Sequence, residues 1–166
     1  MRSQIAKCHS LDRKRLGWCG ILMWTVLLAP GLAVADCFDD AAARHGVNPW
    51  ILRAIVFQES SFNPRVVHRP NSDNSTDHGW AGINSVHLPE LSQFGISSAQ
   101  LSDPCTGIYV GAWHLARKMR RYGNTWAAVG SYHSKTPSKR DQFAMQIRRI
   151  VEQWAQQGYL RVDQVP

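Results

Sequence analysis

A single acidic residue, Glu59, interrupts an apolar helical pattern and is the clearest candidate for chemistry in this sequence. In the stretch "NPWILRAIVFQES", Leu52, Ile55 and Val56 recur at the spacing of one helix face, and Glu59 takes the next position on that face. A carboxyl group on an apolar face loses hydration, and the negative end of the helix dipole acts in the same direction, so its pKa rises. A carboxylic acid that keeps its proton near neutral pH can serve as a general acid, for example toward a glycosidic oxygen. The alternative is a structural Glu59 that is hydrogen-bonded to a neighbouring backbone group.

A second carboxylate, Asp77, follows in the polar segment "HRPNSDNSTDHG". It lies 18 residues after Glu59, so a β-ribbon folded back toward the helix would bring both acids to one cleft. The "STD-x-G" pattern also resembles the loop that carries the second carboxylate in animal-type lysozymes. In a retaining glycosidase such a residue is the nucleophile, about 5 Å from the acid. The alternative is that Asp77 caps the turn through backbone hydrogen bonds.

The elements that must position these acids are predicted to be mainly short helices. Asn48 followed by Pro49 is typical of a helix start, and Asp103 followed by Pro104 repeats that signal. The polar segment, flanked by "RVV" and "WAGINS", predicts a small β-hairpin. Helices are predicted over residues 39–45, 49–60, 104–122, within 124–134 and over about 138–157.

The N-terminal 35 residues have the pattern of a secretory signal peptide. Residues 2–15 hold five basic residues and one acid, residues 16–29 are largely apolar, and Ala33–Ala35 has the small-x-small form of a cleavage site. We therefore expect residues 1–35 to be a signal peptide and residues 36–166 to form one exported domain. The alternative is a retained membrane anchor, although 14 apolar residues fall short of the roughly 20 that span a bilayer.

Removal of the signal peptide changes the charge balance. The net charge of the whole chain is +7, but residues 36–166 hold 14 basic and 11 acidic residues, a balance of only +3. This small excess gives no support for nucleic-acid binding. The densest basic cluster is either a solvated helix face or a weak attraction to an anionic polymer such as cell-wall glycan. That cluster consists of Arg117, Lys118, Arg120 and Arg121.

Two cysteines, Cys37 and Cys105, remain after residue 35. Two cysteines in an exported domain most often pair, so we expect a disulfide between them. Its loop spans 69 residues, and its closure contributes about 4 kcal/mol in a chain-entropy treatment. The alternative is two free buried thiols.

Four sequence blocks in order resemble the lysozyme-like lytic transglycosylase (SLT) domain, in particular the small specialised members that accompany type III and type IV secretion systems and pili. The blocks are "CFDDAAARHGVNPWILRAIVFQESSFNP", "DHGWAGINS", "LSDPC" with "GAWHLARKMRRYG", and "AAVGSYHS", and the resemblance as a whole extends over residues 37–150. The resemblance implies a mainly α, lysozyme-like α+β fold with the hairpin beside the cleft. It implies cleavage of the β-1,4 bond between N-acetylmuramic acid and N-acetylglucosamine to a 1,6-anhydro product, without cofactor or metal. It also implies that Glu59 is first acid and then base, with Tyr132 hydrogen-bonding near it.

Five residues are candidates for contact with the glycan. They are Ser60, Gly79, Trp80, Asn84 and His133. Two of these have a structural alternative, since Trp80 is also typical of a core tryptophan and Asn84 of a residue that closes a turn. Tyr132 has the corresponding alternative of simple packing.

One block departs from the family pattern. The family has Gly-Leu-Met-Gln where this chain has "GWAG", so Ala81 replaces Met and Gly82 replaces Gln. We expect this change to remove a polar contact and to open space in the cleft. It leaves a catalytically weak glycan-binding scaffold of a secretion apparatus as one rival function.

The expected function is a periplasmic lytic transglycosylase that opens peptidoglycan locally for a secretion, conjugation or pilus apparatus. Its expected partners are peptidoglycan strands and that apparatus, with no nucleic acid and no stable membrane anchor after signal cleavage. A hydrolytic lysozyme that uses Glu59 and Asp77 is the second rival.

Overall fold

Six α-helices and one two-stranded antiparallel sheet make up the part of the chain that is described, residues 30–63, 66 and 68–160 of a computed structural model. The helices are α1 Pro30–His45, α2 Pro49–Ser60, α3 Leu88–Ser92, α4 Pro104–Tyr122, α5 Trp126–Ser131 and α6 Pro137–Gln156. The strands are β1 Asp77–His78 and β2 Ile83–Asn84, and single 3-10 turns cover Ser85–His87 and Gln100–Ser102. The predicted mainly α, lysozyme-like architecture with a small hairpin is confirmed.

The starts of the two central helices follow from local sequence. The Asn48 side chain accepts hydrogen bonds from the backbone N–H groups of Trp50 and Ile51. The Asp103 side chain does the same for Thr106 at the start of α4. These bonds satisfy N–H groups that have no partner within the helix. The cap of α2 therefore sets its phase and brings Glu59 into the last turn.

The first helix begins earlier than predicted. Its backbone is helical from Pro30, whereas the sequence pattern indicated residues 39–45. Proline fits the first helical turn, where its missing N–H costs nothing. Residues 1–29 lie outside the described part, so the signal peptide at residues 1–35 stays a prediction. Within the described ranges, no helix combines the length and apolar character needed to cross a membrane.

One strand of the hairpin, β2, lies in "WAGINS" as predicted, whereas the other strand lies in a different place. Val66, the one described residue of "RVV", is in neither strand, and β1 forms within the polar segment instead. Asp77 pairs with Asn84 across the two strands. The connecting turn has φ of 68° at Gly79 and 58° at Gly82, and the N–H of Gly82 donates to the carbonyl of Gly79 at 3.2 Å. Glycine adopts these left-handed angles without steric cost, so the "GWAG" segment makes the turn.

The hydrophobic core lies between α1, α2, α4 and α6. Its fully buried side chains include Leu52, Ile55, Ile108, Leu115 and Ile147. A disulfide between Cys37 and Cys105 joins α1 to the first turn of α4, with the two Cα atoms 5.5 Å apart. The predicted pairing of these cysteines is confirmed. It links α1 to α4, and both of these helices contribute to the core.

Two consecutive residues in the left-handed region follow α2, Ser61 with φ of 52° and Phe62 with φ of 57°. For non-glycine residues this conformation costs about 1–2 kcal/mol each. Aromatic contacts of Phe62 offset part of that cost, since its ring lies 6.0 Å from Phe38 and 5.5 Å from Phe57, centroid to centroid. The N–H of Ser61 also donates to the carbonyl of Phe57 at 2.7 Å. The chain thus turns sharply away immediately after Glu59 and Ser60.

Candidate active site

Glu59 lies in the last turn of α2 with its side chain partly buried. Burial, and secondly the negative charge of Asp77, raise the pKa of its carboxyl to about 8. No hydrogen bond joins this carboxyl to any residue within the described part of the chain. Glu59 therefore keeps its proton at neutral pH and has that proton available for a ligand, as a general acid requires.

The carboxyl of Glu59 lies against the backbone of Gly82. A Cβ placed on Gly82 would be 2.5 Å from Oε2 and 2.8 Å from Cδ of Glu59. The expectation that glycine opens space in the cleft is therefore wrong, because the carboxyl of Glu59 already fills the space that a side chain at position 82 would use. The glycine permits the close approach of the acid to the hairpin turn.

Asp77, on β1, is held by two side-chain amides. Asn84 donates to Oδ1 at 2.9 Å, and Asn71 donates to Oδ2 at 3.4 Å. The neighbouring Asp73 caps the turn instead, since it accepts from the backbone N–H of Ser75 at 3.0 Å and from its hydroxyl at 2.7 Å. The turn-capping role considered for Asp77 therefore belongs to Asp73, and the Asp77 carboxylate is fixed in orientation within the cleft wall.

Two cavities meet at Glu59. The larger, of about 450 Å³, lies between the hairpin, α4 and the segment after α5, and it also contains Asp77, Asn84 and Tyr132. The smaller, of about 390 Å³, continues on the other side of Glu59 along α6. Glu59 and His133 line both cavities. An extended polymer lying across both would pass over the carboxyl of Glu59 in the middle of its length.

Tyr132 holds the hairpin turn through a buried hydrogen bond. Its buried hydroxyl donates to the carbonyl oxygen of Ala81 at 2.7 Å. Burial, and then the charge of Glu59, raise the pKa of this phenol well above its ordinary value, so it stays a hydrogen-bond donor. Tyr132 lies near Glu59, as the resemblance implied, but its hydroxyl is bonded to the residue that precedes Gly82.

Three of the predicted glycan contacts lie outside the cleft. The hydroxyl of Ser60 is buried and donates to the carbonyl of Val56 at 3.0 Å. Trp80 is only 7% exposed and belongs to the core, which matches its structural alternative. The carbonyl of Gly79 is within 3.1 Å of the ring nitrogen of His68. The structure thus gives Ser60, Gly79 and Trp80 structural positions, whereas Asn84 and His133 line the cleft.

The wall of the cleft that comes from α4, α5 and the segment after α5 holds mainly residues that the sequence pattern did not single out. His114 is buried, with Nε2 3.3 Å from the carbonyl oxygen of Tyr132, and burial lowers its pKa to about 3. Its ring lies 4.6 Å from that of His87, centroid to centroid. Even so, no group of three or more His, Cys, Asp or Glu side chains able to hold a metal ion occurs among the described residues. The side chains that complete this wall are Lys118, Ser131, Lys135 and Lys139.

The basic cluster on α4 is divided by the fold. Arg117 forms an ion pair with Glu90 and stacks over Trp113, and Arg121 stacks over Tyr122. Lys118 instead faces the cleft. Neither alternative stated for this cluster describes all of its members.

Comparison with known proteins agrees with this geometry. The family model described as the transglycosylase SLT domain matches residues 36–153. Invasion protein IagB of Salmonella typhimurium is 41% identical over 121 residues, which cover 72% of this chain and 74% of IagB. Protein IpgF of Shigella flexneri is 38% identical over 112 residues, 67% of this chain and 73% of IpgF. An X polypeptide of Escherichia coli is 33% identical over 123 residues, 70% and 72% of the two chains.

The protein therefore belongs to the transglycosylase SLT domain family. Membership of this family makes it a lytic transglycosylase-type protein whose substrate class is peptidoglycan.

Proposed function

We propose that this protein is a peptidoglycan lytic transglycosylase that cleaves the β-1,4 bond between N-acetylmuramic acid and N-acetylglucosamine, with Glu59 as the proton donor. The observation that carries the proposal is a partly buried carboxyl with a pKa of about 8 at the junction of two cavities. General acid catalysis needs a group that is protonated at the working pH and reaches the leaving oxygen.

The reaction is written in two steps on one carboxyl. Glu59 first donates its proton to the glycosidic oxygen, the bond from that oxygen to C1 of the muramoyl residue breaks, and the glucosamine half leaves with a free 4-hydroxyl. The Glu59 carboxylate then accepts the proton of the muramoyl 6-hydroxyl while that oxygen bonds to C1, which closes the 1,6-anhydro ring. Glu59 recovers its proton, and no water is consumed. Asp77, on the same cleft, stabilises the positive charge that develops at C1.

A hydrolytic lysozyme is the second candidate, and the position of Asp77 favours it. This carboxylate shares the cleft with Glu59 and is oriented by Asn84 and Asn71. A retaining hydrolase uses such a carboxylate as the nucleophile and finishes with water. The two functions differ in the product, because hydrolysis leaves a reducing muramic acid and transglycosylation leaves an anhydro ring.

Mass spectrometry of the muropeptides released from purified peptidoglycan tests both functions. We expect anhydro ends, which are lighter than reducing ends by one water. Glu59→Gln should lower the rate about 10²–10⁴-fold, and Asp77→Asn should lower it less. The exposed Asp141→Asn, which removes a carboxylate that lines neither cavity, is the control. Reducing ends that vanish in Asp77→Asn would assign a lysozyme, and glycan binding by folded wild-type protein without any cleavage would assign a scaffold.

We further propose that the protein acts in the periplasm and opens the wall locally for a secretion, conjugation or pilus apparatus. The N-terminal pattern of residues 1–35 supports export, and the similarity to invasion protein IagB and to IpgF supports a link to a secretion system. The N-terminus of the protein isolated from periplasm should be Asp36. Recovery of residues 1–35 on the protein in the membrane fraction would instead indicate a retained anchor.

A further inference from the structure

Lysine and arginine occupy different kinds of position in this protein. Residues 36–166 contain three lysines and eleven arginines. All three lysines, Lys118, Lys135 and Lys139, line the cleft, although they come from α4, from the segment between α5 and α6, and from the first turn of α6. We call these three residues the lysine wall. Three elements have thus brought the same side chain to one surface.

The lysine wall has no carboxylate partner within the described part of the chain. The four ion pairs that this part contains all use arginine: Arg53–Asp39, Arg117–Glu90, Arg140–Asp141 and Arg148–Glu152. Burial and the charge of Lys135 lower the pKa of Lys118, so the ammonium groups of the wall repel one another in the absence of an anion. The neighbouring His87 and His133 have pKa values lowered by burial, so at neutral pH the lysines supply the positive charge of this wall.

The lining of the cleft therefore carries charges of both signs on different elements. The negative charges, Asp73 and Asp77, come from the polar segment and β1, whereas the lysine wall comes from α4, α6 and the segment before α6. The sugar rings of a glycan of N-acetylated hexosamines carry no charge, so they give no reason for three unpaired cations. The lactyl ether of muramic acid does carry a carboxyl group, which is either free or extended into a peptide stem with carboxylates of its own.

We propose that Lys118, Lys135 and Lys139 bind carboxylates attached to the lactyl ether of muramic acid, and that the lysine wall selects anionic strands over neutral glycan. This inference rests on the proposed function, because it names the part of the substrate that the cleft recognises. Lysine suits the task, since its ammonium is a point charge on a flexible stem that can follow carboxylates of variable position. The planar fork of arginine matches a carboxylate in one fixed geometry.

The test measures binding without turnover, in the Glu59→Gln background. Dissociation constants are determined by titration calorimetry for three soluble ligands: glycan strands that carry peptide stems, the same strands after an amidase has removed the stems and left lactyl carboxylates, and a neutral chitin oligosaccharide. Lys135→Gln with Lys139→Gln removes two exposed cations of the wall. The control is Arg121→Gln with Arg149→Gln, which removes two charges outside the cleft lining.

We expect the lysine double variant to bind anionic strands about five- to tenfold more weakly and chitin oligosaccharide unchanged, since an exposed ion pair contributes up to about fivefold in affinity. Raised salt should remove the difference. A loss confined to stem-bearing strands assigns the carboxylates to the peptide, and a loss on both anionic ligands assigns them to the lactyl group. An equal loss on chitin oligosaccharide, or in the arginine control, would overturn the inference. Wild-type protein that cleaves no peptidoglycan would overturn the proposed function alone, because the binding comparison needs no cleavage.

Discussion

The change Glu59→Gln should alter the pH dependence of stability as well as activity. Glutamine has the shape of a protonated glutamic acid but cannot ionise. The folded wild-type protein holds a proton on Glu59 up to a pH of about 8, whereas the ordinary pKa of the group is 4.5. Between these two pH values the folded state binds one proton more than the unfolded state, so the free energy of unfolding of the wild type falls as pH rises.

The size of this effect on the free energy of unfolding follows from the interval between the two pKa values of Glu59. At 1.36 kcal/mol per pH unit, an interval from 4.5 to about 8 corresponds to about 5 kcal/mol. The partly exposed side chain lowers this value, and we expect about 2–5 kcal/mol. Glu59→Gln has no ionisable group at position 59, so its free energy of unfolding does not fall with pH for this reason. The free energy of unfolding of Glu59→Gln minus that of wild type should therefore be near zero below pH 4.5. This difference should rise to a plateau above about pH 8, where the variant is the more stable protein.

Urea unfolding of both proteins from pH 4 to pH 9, with the disulfide intact, measures this difference. Titrating groups that do not interact with Glu59 contribute equally to both proteins and cancel in the comparison. Glu152→Gln, which removes an exposed carboxylate from its pair with Arg148, is the control and should differ from wild type by less than about 1 kcal/mol at every pH. A wild-type minus Glu59→Gln difference that is flat across this range would refute the argument that burial holds the proton on Glu59.

Three further predictions concern the residues around Glu59 and the disulfide. Gly82→Ala should lower stability by about 1–2 kcal/mol through its left-handed φ and should also slow cleavage, because the added Cβ displaces the carboxyl of Glu59; a variant with full activity would contradict this. Tyr132→Phe should cost about 1–3 kcal/mol in urea unfolding, since the carbonyl of Ala81 loses its buried donor; an unchanged midpoint would show that water replaces the hydroxyl. Replacing both Cys37 and Cys105 by serine should lower the free energy of unfolding in urea by about 4 kcal/mol relative to wild type. An unchanged free energy would contradict the argument that the disulfide constrains the unfolded chain.

Features that depend on neighbouring residues could be predicted from the sequence. The cap at Asn48, the proline at position 49 and the apolar stripe of α2 are all local, and together they place Glu59 in the last helical turn. The caps of α4 were found for the same reason. Cys37 and Cys105 pair as expected, because two cysteines in a domain with a predicted signal peptide leave few alternatives. The family resemblance then supplied the fold.

Features that depend on distant residues could not be predicted in this way. Glu59 at the end of α2 contacts Gly82 in the hairpin turn, and the periodicity of the sequence gives no sign of this contact. The role of Trp80 stayed open in the sequence, because an aromatic residue beside a cleft motif can serve either the core or the ligand, and only packing decides. The lysine wall joins three elements, so its members appear in the sequence as unrelated charges. The restriction of lysine to these positions after residue 35 was nevertheless a visible signal.

The contact between Glu59 and Gly82 also constrains how this protein can evolve. Any single codon change at position 82 that adds a side chain meets the carboxyl of Glu59 before it can meet a glycan. A descendant with a side chain at this position must therefore displace the end of the Glu59 side chain or move the hairpin turn, and it also bears the strain of the left-handed backbone at position 82. In a library that varies position 82, active variants with a residue other than glycine should therefore be rare, because each added side chain competes with the carboxyl of Glu59 for the same space.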